Sequence, residues 1–271
     1  MNATETLSPG ALVEALIPAM RAAAEVIEQV RIAGIVHRDK PDSSPVTEAD
    51  EAAERLLTAA IRAIDDAPIV GEEAHAAGHR PPPCARFWLI DPLDGTKDFI
   101  AGRAAYSVNV ALVEGGMPVL GLVLSPRDGV LWTGVVGAGP GQGAFRQASA
   151  NAARLPITTH AMRPLPVIVV SHSHLDQSTK DWVTALGACA LEPAGSSLKF
   201  CRVAEGSADA YPRYGPTCEW DTAAGHAVLL AAGGAMHAAG GTDFTYGKPA
   251  YFNGGFLAVG DPAAFARLPA L

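Results

Sequence analysis

The chain has 271 residues, of which 49% are apolar and 18% are charged, and its formal net charge is −8 at pH 7. A chain with this composition buries a large core, which excludes an intrinsically disordered protein and leaves room for one large domain or two packed halves. The acidic balance argues against a general nucleic-acid binder, whereas a small phosphorylated ligand stays compatible where local cations or bound metal reverse the charge.

Two amphipathic helices are predicted at the start of the chain. Apolar residues recur at helical spacing over 11–33, and a second such stretch over 52–64 follows a capping pattern at 47–50. Glu5 and Glu14 precede any lysine or arginine, which is unlike a secretory leader, and no apolar run reaches the roughly 18 residues of a membrane span. We therefore expect a soluble cytoplasmic protein without a transmembrane segment.

Strand signals dominate the next part of the chain, where short apolar runs alternate with glycine-containing turns and predict an antiparallel meander. The runs lie at 68–70, 87–90, 107–113, 118–124 and 130–136. The glycine-rich stretch 137–143 matches a loose dinucleotide-binding pattern. Pro140 and the lack of an acidic residue at the ribose-reading distance favour a hairpin instead.

The second part of the chain begins after a polar, proline-containing connection over 151–166. A strand is predicted at 167–170 and a helix at 179–186. We divide the chain near residue 150 into an N-terminal half, 1–150, and a C-terminal half, 151–271. The mixture of strands and helices indicates a layered α+β protein rather than a Rossmann sheet.

Two carboxylates follow the apolar run 87–90, separated by Pro92 and Leu93. Pro92 biases Asp91 away from helix, so we expect the chain to turn as it leaves the strand and to aim Asp91 and Asp94 at one point. Carboxylates this close repel each other unless a divalent cation lies between them, and their hard oxygen atoms suit Mg²⁺. Taken alone, the pattern is equally compatible with an ordinary turn.

Further acidic segments strengthen the metal interpretation. Glu72 and Glu73 follow a strand and a glycine, and Asp50 lies in the capping pattern of the second helix. Asp221 stands at the head of an apolar helix, which one of its oxygens is predicted to cap. Glu219, two residues earlier, either tunes the metal affinity or faces solvent.

These segments resemble the metal-site motifs of the inositol monophosphatase and fructose-1,6-bisphosphatase superfamily. The matching runs are EE at 72–73, DPLDGT at 91–96 and WDTAAG at 220–225. Within that superfamily the chain is similar to the 3'(2'),5'-bisphosphate nucleotidases of the CysQ type. That likeness is carried by SPVT at 44–47, DGTKDFI at 94–100, GSSLKFC at 195–201 and YPRYGPT at 211–217.

The resemblance implies an α+β fold in the form of a layered αβαβα sandwich, and a magnesium-dependent phosphomonoesterase with two or three Mg²⁺. It implies hydrolysis of 3'(2')-phosphoadenosine 5'-phosphate to AMP and phosphate in sulfate assimilation, with the sulfated form as a further substrate, and inhibition by Li⁺. The implied metal ligands are Glu72, Asp91, the Leu93 carbonyl, Asp94 and Asp221. The implied catalytic residues are Asp50, Glu72 and Thr96. The implied substrate-binding residues are Leu93, Asp94, Gly95, Thr96, His174, Ser196, Lys199, Arg213 and Asp221.

Two alternatives stay open. An inositol monophosphatase or sugar bisphosphatase would share the metal ligands but would leave Lys199 and Arg213 without a second phosphate to bind. A catalytically silent phosphate-binding protein is disfavoured because the implied ligand positions and Thr96 hold competent residues. The expected partner is a small-molecule nucleoside bisphosphate and no polynucleotide. We expect a monomer or homodimer in the cytoplasm, with peripheral attachment to the inner membrane as an alternative.

Overall fold

The computed structural model describes residues 7–40, 44–82, 84–171 and 176–271. Within these ranges the main elements form five layers: helices, a seven-stranded sheet, helices, a five-stranded sheet and an outer helix. The layered αβαβα sandwich implied by the sequence is confirmed. No helix in the described ranges is both long and apolar enough to cross a lipid bilayer.

Helices α1 (Pro9–Ala33) and α2 (Glu48–Arg62) form the first layer. The helix predicted over 52–64 begins earlier because Thr47 and Asp50 form a reciprocal capping box at its first turn. The two helices pack on each other and bury their apolar faces against one side of the first sheet. This packing fixes Asp50, which is 1% exposed, at the N-terminal end of α2.

The first sheet is an antiparallel meander, apart from its first pair of strands, which is parallel. Its strands, in spatial order, are β3 (Ile69–Gly71), β4 (Arg86–Asp94), β5 (Ser107–Glu114), β6 (Met117–Leu124), β7 (Leu131–Val135), β8 (Gly143–Gln147) and β9 (Arg154–Ile157). The stretch 137–143 connects the antiparallel strands β7 and β8, so the hairpin interpretation is confirmed. The region predicted as a polar connection contains β9, which pairs with β8 at the edge of the sheet.

Apolar side chains cover both faces of the first sheet. Along β4, Trp88 and Ile90 face α1 and α2, whereas Phe87 and Leu89 face the middle layer of helices. Burying a large apolar side chain contributes roughly 1.5–3 kcal/mol, so a strand covered on both sides is strongly anchored. The acidic end of β4 is therefore held in place by the run that precedes it.

The second sheet has five strands. In spatial order they are β11 (Ala190–Ala194), β10 (Val167–Ser171), β12 (Ala210–Arg213), β16 (Phe256–Val259) and β14 (Ala235–Ala238). Helix α5 (Gln177–Leu186) and a 3₁₀ turn (Pro262–Ala266) cover its outer face, and α6 (Leu198–Ala204) and α7 (Ala223–Ala231) lie between the two sheets. The remaining elements are the short helices α3 (Glu72–Ala76) and α4 (Thr96–Ile100) and the two-stranded pairs β1 (His37–Asp39) with β2 (Pro45–Thr47) and β13 (Thr217–Cys218) with β15 (Phe252–Asn253).

Helix α7 lies directly on the first sheet, although it comes late in the chain. A Cβ atom on Gly121 of β6 would lie 2.4 Å from the Ala224 carbonyl oxygen, and one on Gly134 of β7 would lie 2.6 Å from Val228 Cα. These two glycines permit the close approach of helix and sheet. The division of the chain at residue 150 stays a prediction; the two sheets change over between β9 and β10.

Candidate active site

A β-bulge at the end of β4 brings two acidic residues to one face. Residues three apart on a regular strand point to opposite sides of the sheet. Here Asp91 pairs with Asn109 and Asp94 with Ser107, so three steps along β4 match two along β5. The extra residue turns Asp94 to the side of Asp91. The predicted convergence of the two carboxylates is thus explained by a bulge, whereas the predicted turn after Asp91 is wrong because β4 continues to Asp94.

Gly95 and Thr96 follow this bulge, and the Thr96 side chain contacts α2. Gly95 has a φ of +96°, and a Cβ at this position would lie 2.8 Å from the Ala105 carbonyl oxygen, so only glycine fits without strain. The Thr96 hydroxyl lies 3.1 Å from Asp50 Oδ1 and 3.0 Å from the Leu93 carbonyl oxygen, and it can donate to either. The contact expected between Thr96 and Asp50 is therefore present.

Glu72 and Glu73 form the first turn of α3. The buried Glu54 carboxylate on α2 accepts hydrogen bonds from the backbone N–H groups of Glu73 and Ala74, both at 2.8 Å, and so anchors that turn. The Lys40 ammonium donates to Glu72 and Glu73, both at 2.7 Å. Burial and the charge of Glu72 raise the pKa of Glu73 to about 7. The pair is thus a crowded anionic group that already attracts a cation.

Asp221 lies just before α7, but its carboxylate does not cap that helix. The N-cap residue is Thr222, which makes no side-chain capping bond. Asp221 Oδ2 instead accepts a hydrogen bond from the Cys218 backbone N–H at 2.7 Å. The predicted cap is therefore wrong. The Asp221 carboxylate accepts the Cys218 backbone N–H, which precedes it in the chain, and not an N–H of the first turn of α7.

Three buried carboxylates have raised pKa values. Burial raises the pKa of Asp91 well above its usual value, and the charges of Glu72, Asp94 and Asp221 raise it further. Burial and neighbouring carboxylates likewise raise the pKa of Asp94 and of Asp221, although Lys199 opposes the rise at Asp94. Such a cluster is costly at neutral pH unless cations compensate it.

The donor set fits a hard divalent cation. Its members supply carboxylate and carbonyl oxygens, which Mg²⁺ prefers, and their charges repel one another. As they stand, Asp91, Asp94 and Asp221 each direct one oxygen at a backbone N–H, and no three acidic, histidine or cysteine side chains in the described ranges converge as closely as a bound ion requires. Each of these aspartates has a second oxygen that does not take part in that bond. Small rotations of the side chains would therefore be enough for the carboxylates to bind a metal ion.

Two cations line the same cavity as the acidic group. The cavity measures about 440 Å³, and its walls include Lys199 and Arg213. Lys199 is 6% exposed, and its ammonium donates to the Ser196 carbonyl oxygen at 2.6 Å and faces the Tyr211 ring at 5.3 Å. Burial, reinforced by the charge of Arg213 and opposed by Asp94, lowers the pKa of Lys199 to about 8.

The structure brings most of the predicted site residues to this cavity. The predicted residues that line it are Glu72, Asp94, Gly95, Thr96, Ser196, Lys199, Arg213 and Asp221. Asp50, Asp91 and Leu93 are buried directly behind it. His174 lies outside the described residues.

Sequence reasoning missed several residues that hold the site together. Ser197 donates to both Asp94 and Asp221, and Glu54 and Lys40 hold the turn of Glu72 and Glu73. Only Glu54 had a local signal, as an acidic residue on the apolar face of a helix. Glu219 is fully buried and accepts the backbone N–H groups of residues 247 and 248, so it supports a loop and does not face solvent.

Comparisons with known proteins find relatives along most of the chain. Residues 10–264 match the model of the inositol monophosphatase family. The 3'(2'),5'-bisphosphate nucleotidase CysQ of Escherichia coli (strain K12) is 41% identical over 219 residues, which cover 80% of this chain and 86% of that protein.

Solved structures show the same likeness. The crystal structure of CysQ from Bacteroides thetaiotaomicron, a bacterial member of the inositol monophosphatase family, superposes with a TM-score of 0.76 at 32% identity and covers 91% of this chain and 96% of that one. An IMPase from Thermotoga maritima has a TM-score of 0.72 at 25% identity and covers 92% of this chain and 91% of that one. The chain belongs to the inositol monophosphatase family.

Proposed function

We propose that the chain is a 3'(2'),5'-bisphosphate nucleotidase, a metal-dependent phosphomonoesterase that hydrolyses 3'(2')-phosphoadenosine 5'-phosphate to AMP and phosphate. One observation carries the proposal: a single cavity has an acidic group that suits divalent cations and also two cations, Lys199 and Arg213, that suit a second phosphate. A monophosphate substrate has no use for both features. The name of the Escherichia coli relative, 3'(2'),5'-bisphosphate nucleotidase CysQ, supports the same activity.

The metal ligands in this proposal are those implied by the motifs. Glu72, Asp91 and the Leu93 carbonyl would hold one Mg²⁺, and Asp91, Asp94 and Asp221 a second, with a third, weaker ion at Glu73. Bound Mg²⁺ supplies Lewis acidity, which neutralises phosphate charge and acidifies water. The Leu93 carbonyl oxygen has two lone pairs, so it could hold the ion whether or not it also accepts the Thr96 hydroxyl.

The Thr96 hydroxyl and Asp50 are assigned to the attacking water. With its own proton donated to Asp50, the Thr96 oxygen accepts a hydrogen bond from that water and orients it. Burial raises the pKa of Asp50, which makes its carboxylate a better proton acceptor. The water oxygen bonds to phosphorus, and the bond from phosphorus to the 3' oxygen breaks. One water proton passes by way of the Thr96 hydroxyl to the Asp50 carboxylate, which later returns it to solvent, and the 3' oxygen takes a proton from solvent water.

Lys199, Arg213 and Ser196 are assigned to the part of the substrate that does not react. The 5'-phosphate is a dianion that can pair with both cations, and such charge-assisted bonds contribute more than neutral ones. His174 and the backbone of Gly95 and Thr96 complete the proposed substrate contacts. The two phosphates would thus be bound by different groups, which is what allows one of them to be selected for hydrolysis.

Further parts of the proposal rest on the family resemblance. They are a role in sulfate assimilation, activity on the sulfated substrate and inhibition by Li⁺. The same applies to a cytoplasmic location, with peripheral attachment to the inner membrane as the alternative, and to a monomeric or homodimeric state.

The experiment that tests this function is phosphate release from a panel of nucleoside bisphosphates, nucleoside monophosphates, inositol phosphates and fructose 1,6-bisphosphate. The expected result is preference for a nucleoside 3'(2'),5'-bisphosphate with Mg²⁺ and loss of activity with chelator. Asp94→Asn, which keeps the side-chain shape but removes a charge, is expected to be folded and nearly inactive. Preference for an inositol or sugar phosphate would contradict the proposal, and release from none of the panel would favour a silent binding protein.

A further inference from the structure

The turn before α6 connects acidic residues that belong to different layers. The Ser197 backbone N–H donates to Asp94 Oδ2 at 2.6 Å, and the Ser197 hydroxyl donates to the Asp221 carbonyl oxygen at 2.6 Å. Ser197 itself is 1% exposed. Asp94 ends a strand of the first sheet, whereas Asp221 precedes the helix between the sheets, so one residue bridges the two acidic elements.

The Ser197 hydroxyl does not cap the helix that follows it. Serine is common at the N-cap of a helix because its oxygen accepts a backbone N–H of the first turn. Ser197 occupies the N-cap position of α6, yet it makes no such bond and has helical backbone angles. Its hydroxyl is turned away from α6 and toward Asp221, so helix capping does not explain the residue.

The surrounding turn is held rigidly in the shape that this bridge needs. Ser196 adopts a φ of +49°, a left-handed conformation that costs a non-glycine residue about 1–2 kcal/mol. Its carbonyl oxygen accepts the Lys199 ammonium at 2.6 Å. A Cβ on Gly195 would lie 2.6 Å from the Ala105 carbonyl oxygen, so the turn also packs closely against the segment before β5. The position of Ser197 is therefore set from both sides.

We propose that Ser197 is a positioning residue that sets the separation of Asp94 and Asp221 and thereby the metal affinity of the site that these two carboxylates share. The inference rests on the proposed function, which assigns both aspartates to one Mg²⁺. Ser197 touches neither substrate nor metal in this scheme. Its hydroxyl keeps the Asp221 turn at the distance from β4 that a shared ion requires.

The test is a Mg²⁺ titration of Ser197→Ala in the absence of substrate. Mg²⁺ binding is measured by the change in Tm on thermal unfolding. Loss of one buried hydrogen bond, of about 1–1.5 kcal/mol, is expected to raise the half-saturating Mg²⁺ concentration roughly five- to tenfold. The substitution is expected to change the Tm of the metal-free protein much less than it changes the rise in Tm that Mg²⁺ causes. At saturating Mg²⁺, kcat is expected to recover most of its original value, since the ligands themselves remain.

Ser207→Ala is the matched control. Ser207 follows the same helix, and its hydroxyl also donates to a backbone carbonyl, that of Arg202 at 2.9 Å, but it is exposed and far from the acidic group. Ser197→Thr keeps the hydroxyl and is expected to restore wild-type Mg²⁺ affinity. Ser197→Cys, which has nearly the volume of serine but a weak donor, serves if the alanine variant does not fold, and its Mg²⁺ affinity is expected to be reduced.

An unchanged half-saturating Mg²⁺ concentration in Ser197→Ala and Ser197→Cys, equal to that of Ser207→Ala, would overturn the inference. A lowered Tm of the metal-free protein with unchanged Mg²⁺ affinity would also overturn it, because the residue would then be merely structural. A wild-type protein that binds Mg²⁺ but hydrolyses none of the bisphosphates would refute the proposed function alone. The titration would still decide the role of Ser197, because it needs no turnover.

Discussion

Lys199 is a buried cation whose charge the proposed substrate needs. Lys199→Met keeps most of the side-chain volume and removes the charge. Loss of a charge-assisted bond of about 1.5–3 kcal/mol is expected to lower kcat/KM for a 3',5'-bisphosphate roughly 10- to 100-fold, with a much smaller effect on the matching 3'-monophosphate. Steady-state phosphate release from both substrates measures the difference, and equal losses would contradict the assignment.

The same residue predicts a pH dependence. Because burial lowers the pKa of Lys199 to about 8, the free enzyme loses this charge between pH 7 and pH 9. The KM for the bisphosphate is therefore expected to rise over that range, while kcat changes less, since bound phosphate holds the proton on the lysine. Lys199→Arg, which stays charged, is the control, and its KM should not rise in this way.

At this scale the sequence predicted the carboxylates better than their supports. Asp91 and Asp94 follow an apolar run and Asp221 precedes one, a pattern that is equally compatible with turns or helix caps, and the family resemblance made them candidate metal ligands. Ser197 could not be found in this way, because its two partners lie 103 and 24 residues from it along the chain. A serine in a turn carries no sign of which distant group its hydroxyl will meet.

Among the elements, α7 determines where Asp221 lies. The close packing of α7 on the first sheet depends on two glycines, Gly121 and Gly134. Gly121→Ala would place a methyl group 2.4 Å from the Ala224 carbonyl oxygen and 2.8 Å from Ala227 Cβ. Overpacking of this kind costs about 1–3 kcal/mol, so thermal unfolding should show a clearly lower Tm. The half-saturating Mg²⁺ concentration should rise as well, because the displaced helix carries Asp221 away.

Gly254→Ala is the matched control for this prediction, since a Cβ there meets nothing within 4 Å. Its Tm and Mg²⁺ requirement are expected to stay close to those of the wild type. If Gly121→Ala had the same Tm and the same Mg²⁺ requirement as Gly254→Ala, the close packing of α7 on the sheet would not matter for the site.

Elements with a strong internal pattern were predictable, and elements defined by their neighbours were not. The amphipathic stretches of α1 and α2 and the alternating runs of the meander were recognised because each carries its own periodicity. Strand β9 has the sequence RLPI and lies in a polar region, so nothing local distinguishes it from a loop. Its extended form comes from pairing with β8, which is a tertiary effect.

For the molecule as a whole, the acidic group predicts how stability depends on pH. Raised pKa values mean that the folded protein binds protons more tightly than the unfolded one, so stability falls as pH rises above the ordinary carboxyl values. The range starts near the ordinary carboxyl values, at about pH 4, and includes about pH 7, where Glu73 ionises. Burial and neighbouring charges also raise the pKa of Asp91 and of Asp221, which adds to the fall. In chelator, the Tm is therefore expected to fall by roughly 5 °C or more between pH 5 and pH 8, since about 1 kcal/mol corresponds to about 2–4 °C in a chain of this size.

Saturating Mg²⁺ is expected to remove most of this fall, because a bound cation offsets the repulsion. Asp94→Asn provides the counterpart: in chelator at pH 8 it should be more stable than the wild type, and Mg²⁺ should stabilise it less. Differential scanning calorimetry across the pH range measures both effects. A metal-free protein whose Tm rises from pH 5 to pH 8 would contradict the electrostatic account.

The layered architecture was predictable from the family likeness, but the helix that covers each sheet was not. Helix α7 is apolar nearly all round, so its sequence does not say which of its faces meets which sheet. The glycines on β6 and β7 are the physical reason for the observed choice, and a glycine inside a strand is only a weak indication of close approach when its partner is unknown.

The seat of α7 also has a consequence for the newly made chain. The first sheet is complete in sequence at Ile157, whereas the helix that covers Gly121 and Gly134 ends at Ala231, about 75 residues later. At ribosomal rates of about 5–20 residues per second, that apolar surface stays uncovered for roughly 4–15 seconds during synthesis. A chaperone that covers this apolar surface would protect the chain most during this interval of translation. Delayed folding of the first sheet would have the same effect.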